Sequence, residues 1–326
     1  DGRNGPGFSM NYYIGSDSVL FLNTIFARNT RTDGDMSGQM YLAAYPRMAI
    51  INTYTSSHDA KGNGIREQDN IFTNADPFTD SENNDLSLPA YSAAIGSGVS
   101  SVQFNGQTVN VPTTDFYGNV RPAPDGSSPD IGAIESSRSK KLTRLYVSKE
   151  GFDTNNGTEV SPFLTISKGT SAASGGDTVL VGPGTYSENI ELVDADLHLA
   201  SHYLTTGDTS FISSTIIDGM NEDSPIYIRA SDQNNRISNI KLTGLSIING
   251  EYGDNGSVGS GIYAAFADSV QGDHLVIRDN ISSIEGGGIH VVQSNHASFE
   301  SIVIKNNQAT KGGGIFSQGT DLNFKN

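Results

Sequence analysis

Gly286-Gly287-Gly288-Ile289-His290 and Gly312-Gly313-Gly314-Ile315-Phe316 decide how this chain is read, with Gly259-Ser260-Gly261-Ile262-Tyr263 as their forerunner. The isoleucines Ile262, Ile289 and Ile315 stand 27 and 26 residues apart. Between markers runs a second apolar strand ending in polar residues: Leu245-Ser246-Ile247-Ile248-Asn249, Leu275-Val276-Ile277-Arg278-Asp279-Asn280 and Ile302-Val303-Ile304-Lys305-Asn306-Asn307. Ile262 to Ile277 is 15 residues, and so is Ile289 to Ile304. Each period therefore carries at least two short strands in fixed phase. In a parallel β-solenoid each strand bonds to its equivalent one coil away, ~4.8 Å distant, and apolar residues of successive coils stack inside. Glycines permit positive φ at corners, and asparagines after a strand suit left-handed bends and side-chain ladders. An antiparallel sandwich with Gly-rich hairpins would not repeat a two-strand phase at this period. The fold class read here is all-β, a right-handed parallel β-helix, with Ile262, Ile289 and Ile315 expected in one interior row. An Asp at Ile289 would then place an unpaired charge in that row.

Composition agrees. The chain has 326 residues, enough for two domains, with 37 Gly, no Cys and no Trp. Hydrophobic content is 35% and charged content 17%; disorder couples low hydrophobicity to high charge, so it fits poorly. Net charge is −16, which argues against a nucleic-acid partner, since phosphate binding needs clustered Lys and Arg. The absence of Cys removes disulfides, thiolate nucleophiles and Cys-ligated metal centres. No apolar run approaches the ~18–20 residues of a membrane span. The chain begins at Asp1 rather than Met, pointing to a removed leader or an excerpt of a longer protein.

The first third repeats the signature more weakly. Gly5-Pro6-Gly7-Phe8-Ser9 matches the glycine marker, Leu22 to Asn29 the second strand, and Tyr41-Leu42-Ala43-Ala44 with Ala49-Ile50-Ile51-Asn52 a further coil. Residues 1–58 read as the last coils of a first β-helix, and 59–135 as an irregular closing segment. Asp76-Pro77-Phe78, Asp85-Leu86-Ser87-Leu88, Ser92-Ala93-Ala94-Ile95-Gly96, Asp115-Phe116-Tyr117-Gly118-Asn119-Val120-Arg121-Pro122 and Pro129-Asp130-Ile131-Gly132-Ala133-Ile134-Glu135 follow in order. This series resembles the closing segment of secreted right-handed parallel β-helix proteins of the choice-of-anchor Q type, frequent among Bacteroidetes surface proteins. The resemblance implies a secreted, cell-surface protein, and speaks to family rather than activity. An extra stretch, Gly98–Pro112, departs from that pattern and is expected to form a surface hairpin.

Residues 136–144 hold four basic residues, Arg138, Lys140, Lys141 and Arg144, and read as a linker. From Leu145 a second β-helix begins, assigned to 145–326. Pro162 suits the first turn of a helix, and Leu164, Ile166 and Ala172 suit the cover of an open solenoid end. Together with Gly175-Gly176-Asp177-Thr178-Val179-Leu180-Val181-Gly182-Pro183-Gly184-Thr185-Tyr186, this stretch resembles the N-terminal cap and first coil of pectate-lyase-like β-helix proteins.

Candidate chemistry is sparse. A hydrolase on this fold needs paired carboxylates as general acid and base, and no Asp-Asp or Asn-Thr-Asp occurs. Arg278 and Lys305 lie near Asp279 and Glu300 but alternate as a solvated strand face would. No catalytic residues are assigned. His198 and His202 are spaced for a helical metal pair, but their sequence alternates as a strand, which separates them by about 13 Å. Asp153, Asn155 and Glu159 offer hard oxygen ligands at alternating positions in a Gly-containing loop, an arrangement calcium accepts; plain Asx turns account for the same residues. Glu251-Tyr252-Gly253-Asp254-Asn255-Gly256 is a second oxygen-rich loop. Calcium is the one cofactor in view.

The expected function is a non-enzymatic extracellular stalk, adhesin or filament component, with like units of the same protein, and surface glycans, as partners. Coil signatures start within ten residues of Asp1 and run nearly to Asn326, as in one link of a longer rod. A polysaccharide lyase-like or glycan-binding module is the alternative.

Overall fold

A computed structural model describes residues 8–10, 19–27, 40–43, 48–55, 58–61, 65–72, 76–231, 239–251 and 260–325. The chain divides into two compact units, Asp1–Leu142 and Thr143–Asn326.

The second unit is a β-helix of three parallel sheets. Sheet A has seven strands, Arg144–Val147, Asp177–Val181, Asp196–Ser201, Asn239–Thr243, Ser269–Asp273, His296–Glu300 and Asp321–Lys325. Sheet B has Gly184–Ser187, Thr215–Asp218, Ser246–Ile248, Val276–Arg278 and Val303–Lys305. Sheet C has Ile190–Val193, Ile226–Arg229, Ile262–Ala265, Ile289–Val292 and Ile315–Gln318. From Asp177 the chain visits A, B and C in turn, so each strand pairs with its counterpart one coil on. Ile190, Ile226, Ile262, Ile289 and Ile315 stand in register, as expected for the last three. The first four of these are fully buried. Sheet B adds Tyr186, Ile217, Ile247, Ile277 and Ile304 in register. Burying each such side chain stabilises the fold by about 1.5–3 kcal/mol.

Sheet A is the strand the periodicity does not announce. Its inward row runs Leu145, Val179, Leu199, Leu242, Gly272, Phe299 and Phe324. Large and small residues alternate there: a Cβ on Gly272 would stand 2.5 Å from Phe299 Cδ1. The Phe299 ring fills the room that Gly272 leaves, so two weak-looking strands make one filled layer.

Corners turn on left-handed residues, as a tight change of direction requires. Between A and B these are Gly244, His274 and Ser301; after B, Asn249, Asp279 and Asn306; after C, Asp194, Phe266, Gln293 and Gly319. The glycine triplets divide the work. Gly286 and Gly312 take positive φ, whereas Gly287 and Gly288 are small because a Cβ would meet Gly313 O and Gly314 O, each at 2.5 Å. The expected asparagine ladder is present: Asn280 Nδ2 donates to Asn307 Oδ1 at 2.9 Å, and Asn307 Nδ2 to Ile277 O at 3.0 Å.

Helix α1 (Ile166–Ala172) covers one end, with Ile166 and Ala172 buried. Pro162 lies outside it, because Thr165 is the N-cap, accepting from Lys168 N. Phe163 is fully buried while Leu164 is half-exposed, so the aromatic does the covering expected of the leucine.

The first unit repeats the scheme with three sheets of three parallel strands. The middle sheet is Val19–Leu22, Met48–Ile51 and Ile65–Gln68. Backbone pairing continues through His58–Lys61, Ile65–Gln68 and Ile71–Phe72, so coils run beyond residue 58. The charged strand Ile65-Arg66-Glu67-Gln68 hides the alternation there. Gly5-Pro6-Gly7 lies outside the described residues. Gly98–Pro112 contains the hairpin Ser101–Phe104 with Gln107–Asn110. Its Val102, Phe104 and Val109 pack on Ala49, Ile51, Leu20 and Leu22, while Met48 and Ile50 pack with Val19, Phe21, Phe26 and Ile65. All four residues Met48–Ile51 are buried for that reason.

The segment 136–144 is not a free linker. Ser136 N donates to Asp130 at 2.6 Å, Leu142 N donates to Ala90 O at 2.8 Å, and a Cβ on Gly96 would meet Ser139 O at 2.2 Å. Residues 136–142 thus belong to the first unit, and Arg144 already opens sheet A. The basic run misled because its backbone is pinned to the first unit.

Ile289→Ala is expected to cost about 2–5 kcal/mol, read from chemical denaturation. Val303→Ala, at a half-exposed position, should cost well under half as much.

Candidate functional site

The ordered motifs of residues 115–135 converge on one buried charge network. Arg121 Nε lies 2.8 Å from Glu135 Oε2, with side chains 6% and 0% exposed, and its Nη2 donates to Gly132 O at 2.9 Å. Glu135 Oε1 accepts from Ala123 N and its Oε2 from Asp130 N. Asp130, fully buried, accepts from Gly96 N at 2.7 Å and Ser136 N at 2.6 Å. Burial pushes the Asp130 carboxyl above its ordinary range, the Glu135 charge adds to this, and the two N–H donors oppose it. Asp115 is nearly buried and accepts from Tyr117 N, Asn119 N, Asn119 Nδ2 and Glu135 N. Burial pushes its carboxyl up, but these donors outweigh burial and hold it below the usual range. Every one of these carboxylates is engaged by donors from the closing segment itself. Their chemistry is that of a lock.

What the lock holds outward is apolar. The Asp115-braced turn carries Phe116, Tyr117 and Val120 at 77%, 67% and 70% exposure. The two rings meet edge to face at 5.3 Å. Large apolar residues clustered in solvent mark contact surfaces more often than chance.

In the second unit, Asp153 Oδ1 accepts from Leu164 N and Thr165 N, and Oδ2 accepts from Thr165 Oγ1 at 2.9 Å. Asn155 Nδ2 donates to Pro162 O at 2.7 Å, and Glu159 is exposed. Asp153 and Asn155 are thus both engaged by the loop and the start of α1. Asp153 staples its loop to the start of α1. Among the described residues no group of three or more His, Cys, Asp or Glu is placed to hold a metal ion. Of the second oxygen-rich loop, 252–256 lie outside the described residues.

His198 and His202 do not share a strand face. The strand ends at Ser201, and His202 flanks helix α2 (Tyr203–Thr206), its ring 5.5 Å from Phe211 in α3 (Ser210–Ser214). His198 Nε2 lies 2.9 Å from Thr243 Oγ1; burial lowers its affinity for a proton, Lys241 adds to this, and Asp273 opposes it. His274 Nδ1 lies 2.6 Å from Asp273 Oδ1, and its ring stacks 4.6 Å from Tyr203. Asp273 is also in register with Glu300 one coil on. Residues 27 apart in sequence cannot be recognised as a pair without the sheet A register.

On the outer face of sheet C stands a column of rings, Tyr227, Tyr263, His290 and Phe316, with centroids 4.9, 5.2 and 5.1 Å apart in turn. The glycine markers ended in the last three of these residues, and the repeat carries aromatic character there rather than a catalytic type.

A family described as "Protein of unknown function (DUF1565)" matches residues 149–326, more than half of the chain. The chain belongs to the DUF1565 family. It is 29% identical over 140 residues to "Uncharacterized protein YwoF" of Bacillus subtilis (strain 168), covering 42% of this chain and 28% of that protein. Among solved structures it is similar to pectin methylesterase PemA from Erwinia chrysanthemi, with 13% identity and a TM-score of 0.33 over 48% of each chain. A pectin methylesterase in complex with a hexasaccharide gives 13% and 0.32 over the same shares. The DUF1565 segment begins at Lys149 and so takes in nearly all of the second β-helix.

Two outcomes follow. Arg121→Ala, which strands a buried Glu135, is expected to destabilise the first unit by about 3–5 kcal/mol, visible as an earlier unfolding transition. In the DUF1565 segment, Asp153→Ala should lower the melting temperature, whereas chelator should leave the unaltered protein's melting temperature where it is.

Proposed function

We propose that this DUF1565 member is a non-enzymatic extracellular β-helical protein of the cell surface, structural and adhesive in role. One observation carries the reading: a rigid turn, braced by a buried Asp115, holds Phe116, Tyr117 and Val120 in solvent. An exposed aromatic pair costs solubility unless something is contacted. The choice-of-anchor Q resemblance of residues 76–135 supports the surface location. Repeating coils support a stalk or filament in which like units are partners, and the aromatic tip suits surface glycans, since sugar C–H faces pack on aromatic rings. On this reading the conspicuous acids of the closing segment serve the fold.

The rival is a polysaccharide-cleaving or glycan-binding module. It rests on Asp273 and Glu300, side by side on the outer face of sheet A with His274 against Asp273. A pair of carboxylates is what glycoside hydrolysis uses.

Affinity electrophoresis against a panel of surface polysaccharides, run beside a depolymerisation assay, separates the two. Phe116→Ala with Tyr117→Ala is expected to abolish retardation while leaving the melting temperature within about 1 °C, as exposed positions allow. Depolymerisation that disappears in Asp273→Asn or Glu300→Gln would overturn the non-enzymatic reading.

A further inference from the structure

His290 is an outward-facing residue that is nevertheless 6% exposed. Tyr263 and Phe316, one coil to either side, present their rings to it at 84° and 80°. The loop before its strand closes over it: a Cβ on Gly286 would stand 2.6 Å from His290 Cβ. His290 Nδ1 is buried with no hydrogen-bond partner. Of the charged groups facing the ring, Glu285 comes from that loop, its Oε1 held 2.9 Å from Lys311 Nζ of the next coil. Tyr263 is the titratable neighbour on one flanking strand, and Phe316 on the other is neutral. On its own strand Ile289 and Val291 point into the core.

We propose that His290 is an acid-sensitive latch in the ring column. The neutral ring fits the enclosure; a protonated ring brings a second N–H and a charge into a buried site where Nδ1 has no hydrogen-bond partner, and the ring, with the Gly286 backbone packed against it, must open to water. The desolvated orphan nitrogen carries this. In the same direction, burial lowers the proton affinity of His290, with the charge and the backbone oxygen of Glu285 opposing. The sign follows from linkage: a histidine whose folded affinity for protons is lowered leaves stability intact above its unfolded pKa of ~6.5, and stability falls as pH drops below that value. Ordinary carboxylates titrate lower still, and Asp130, raised by burial, is common to every protein compared, so the window is about pH 7 to 5.5.

Melting temperatures of the whole chain at pH 7.5 and 5.5 test the latch in wild type, His290→Phe and His290→Gln. The phenylalanine variant would extend the ring column, and glutamine is neutral and of similar reach, so one folded variant suffices. Wild type is expected to lose about 2–4 °C more than the variant over this interval. His198 shifts in the same direction in every protein compared, so it cancels. Amides of Gly288 and Ile289, which donate to Gly313 O and Gly314 O, should lose protection at pH 5.5 in wild type alone. Equal pH responses overturn the proposal. So does an NMR titration of wild-type His290 at or above ~6.5, which remains decisive if neither variant folds.

Discussion

Parallel pairing of each strand with its own counterpart one coil away is the constraint from which the rest of this protein follows. It places chemically equivalent positions about 4.8 Å apart, so a residue is judged by its copy above and below. Isoleucine on isoleucine is favourable, hence the row from Ile190 to Ile315. Asparagine on asparagine is favourable where amide donors and acceptors alternate, hence Asn280 on Asn307. Charge on like charge is not, and the outer row that stacks Asp273 on Glu300 continues with the opposite charge of Lys325. The same rule makes Gly272 and Phe299 a complementary pair, since neither fills its layer alone.

A stack of coils has no intrinsic place to stop, and the first unit stops by a different kind of interaction. The cluster of Tyr54, Ala94 and Ile131, with Ile25 and Ile71 against it, gives the closing segment an apolar footing on the coils. Its irregular backbone is then fixed by charge. Asp130, Glu135 and Asp115 accept chiefly backbone N–H groups that no ladder supplies, and Arg121 balances one of them. Buried carboxylates here replace the neighbour that a strand would have had. Asn23 does the same at the left-handed corner, where its side chain pairs with both Val99 N and Val99 O.

That distinction sets what was legible in the amino-acid order. Sheets B and C were readable because their inward residues are Ile at constant spacing. Sheet A was not, because Ser269-Val270-Gln271-Gly272-Asp273 and His296-Ala297-Ser298-Phe299-Glu300 carry small and large inward residues that make sense only together. The hairpin at Gly98–Pro112 was visible as an interruption, but its apolar underside on Ala49 and Ile51 depends on a contact some 50 residues distant in sequence. Asp153, Asn155 and Glu159 resemble ion ligands because turn residues and calcium ligands are the same residue types; the structure adds that Asp153 and Asn155 hydrogen-bond to Leu164, Thr165 and Pro162. The aromatic tip was quoted within a motif, yet its exposure could be known only once Asp115 was seen to brace the turn from beneath.

Native-state hydrogen exchange, resolved by residue, tests most directly whether the closing acids are a structural lock. The amides of Gly96, Ser136, Asp130 and Glu135 donate to those carboxylates. They are predicted to exchange only with global opening of the first unit, as slowly as the ladder amides of Met48–Ile51. Exchange at those four amides on the timescale of exposed turns, while the ladder stays protected, would contradict the account. The buried charges would then be free for other chemistry.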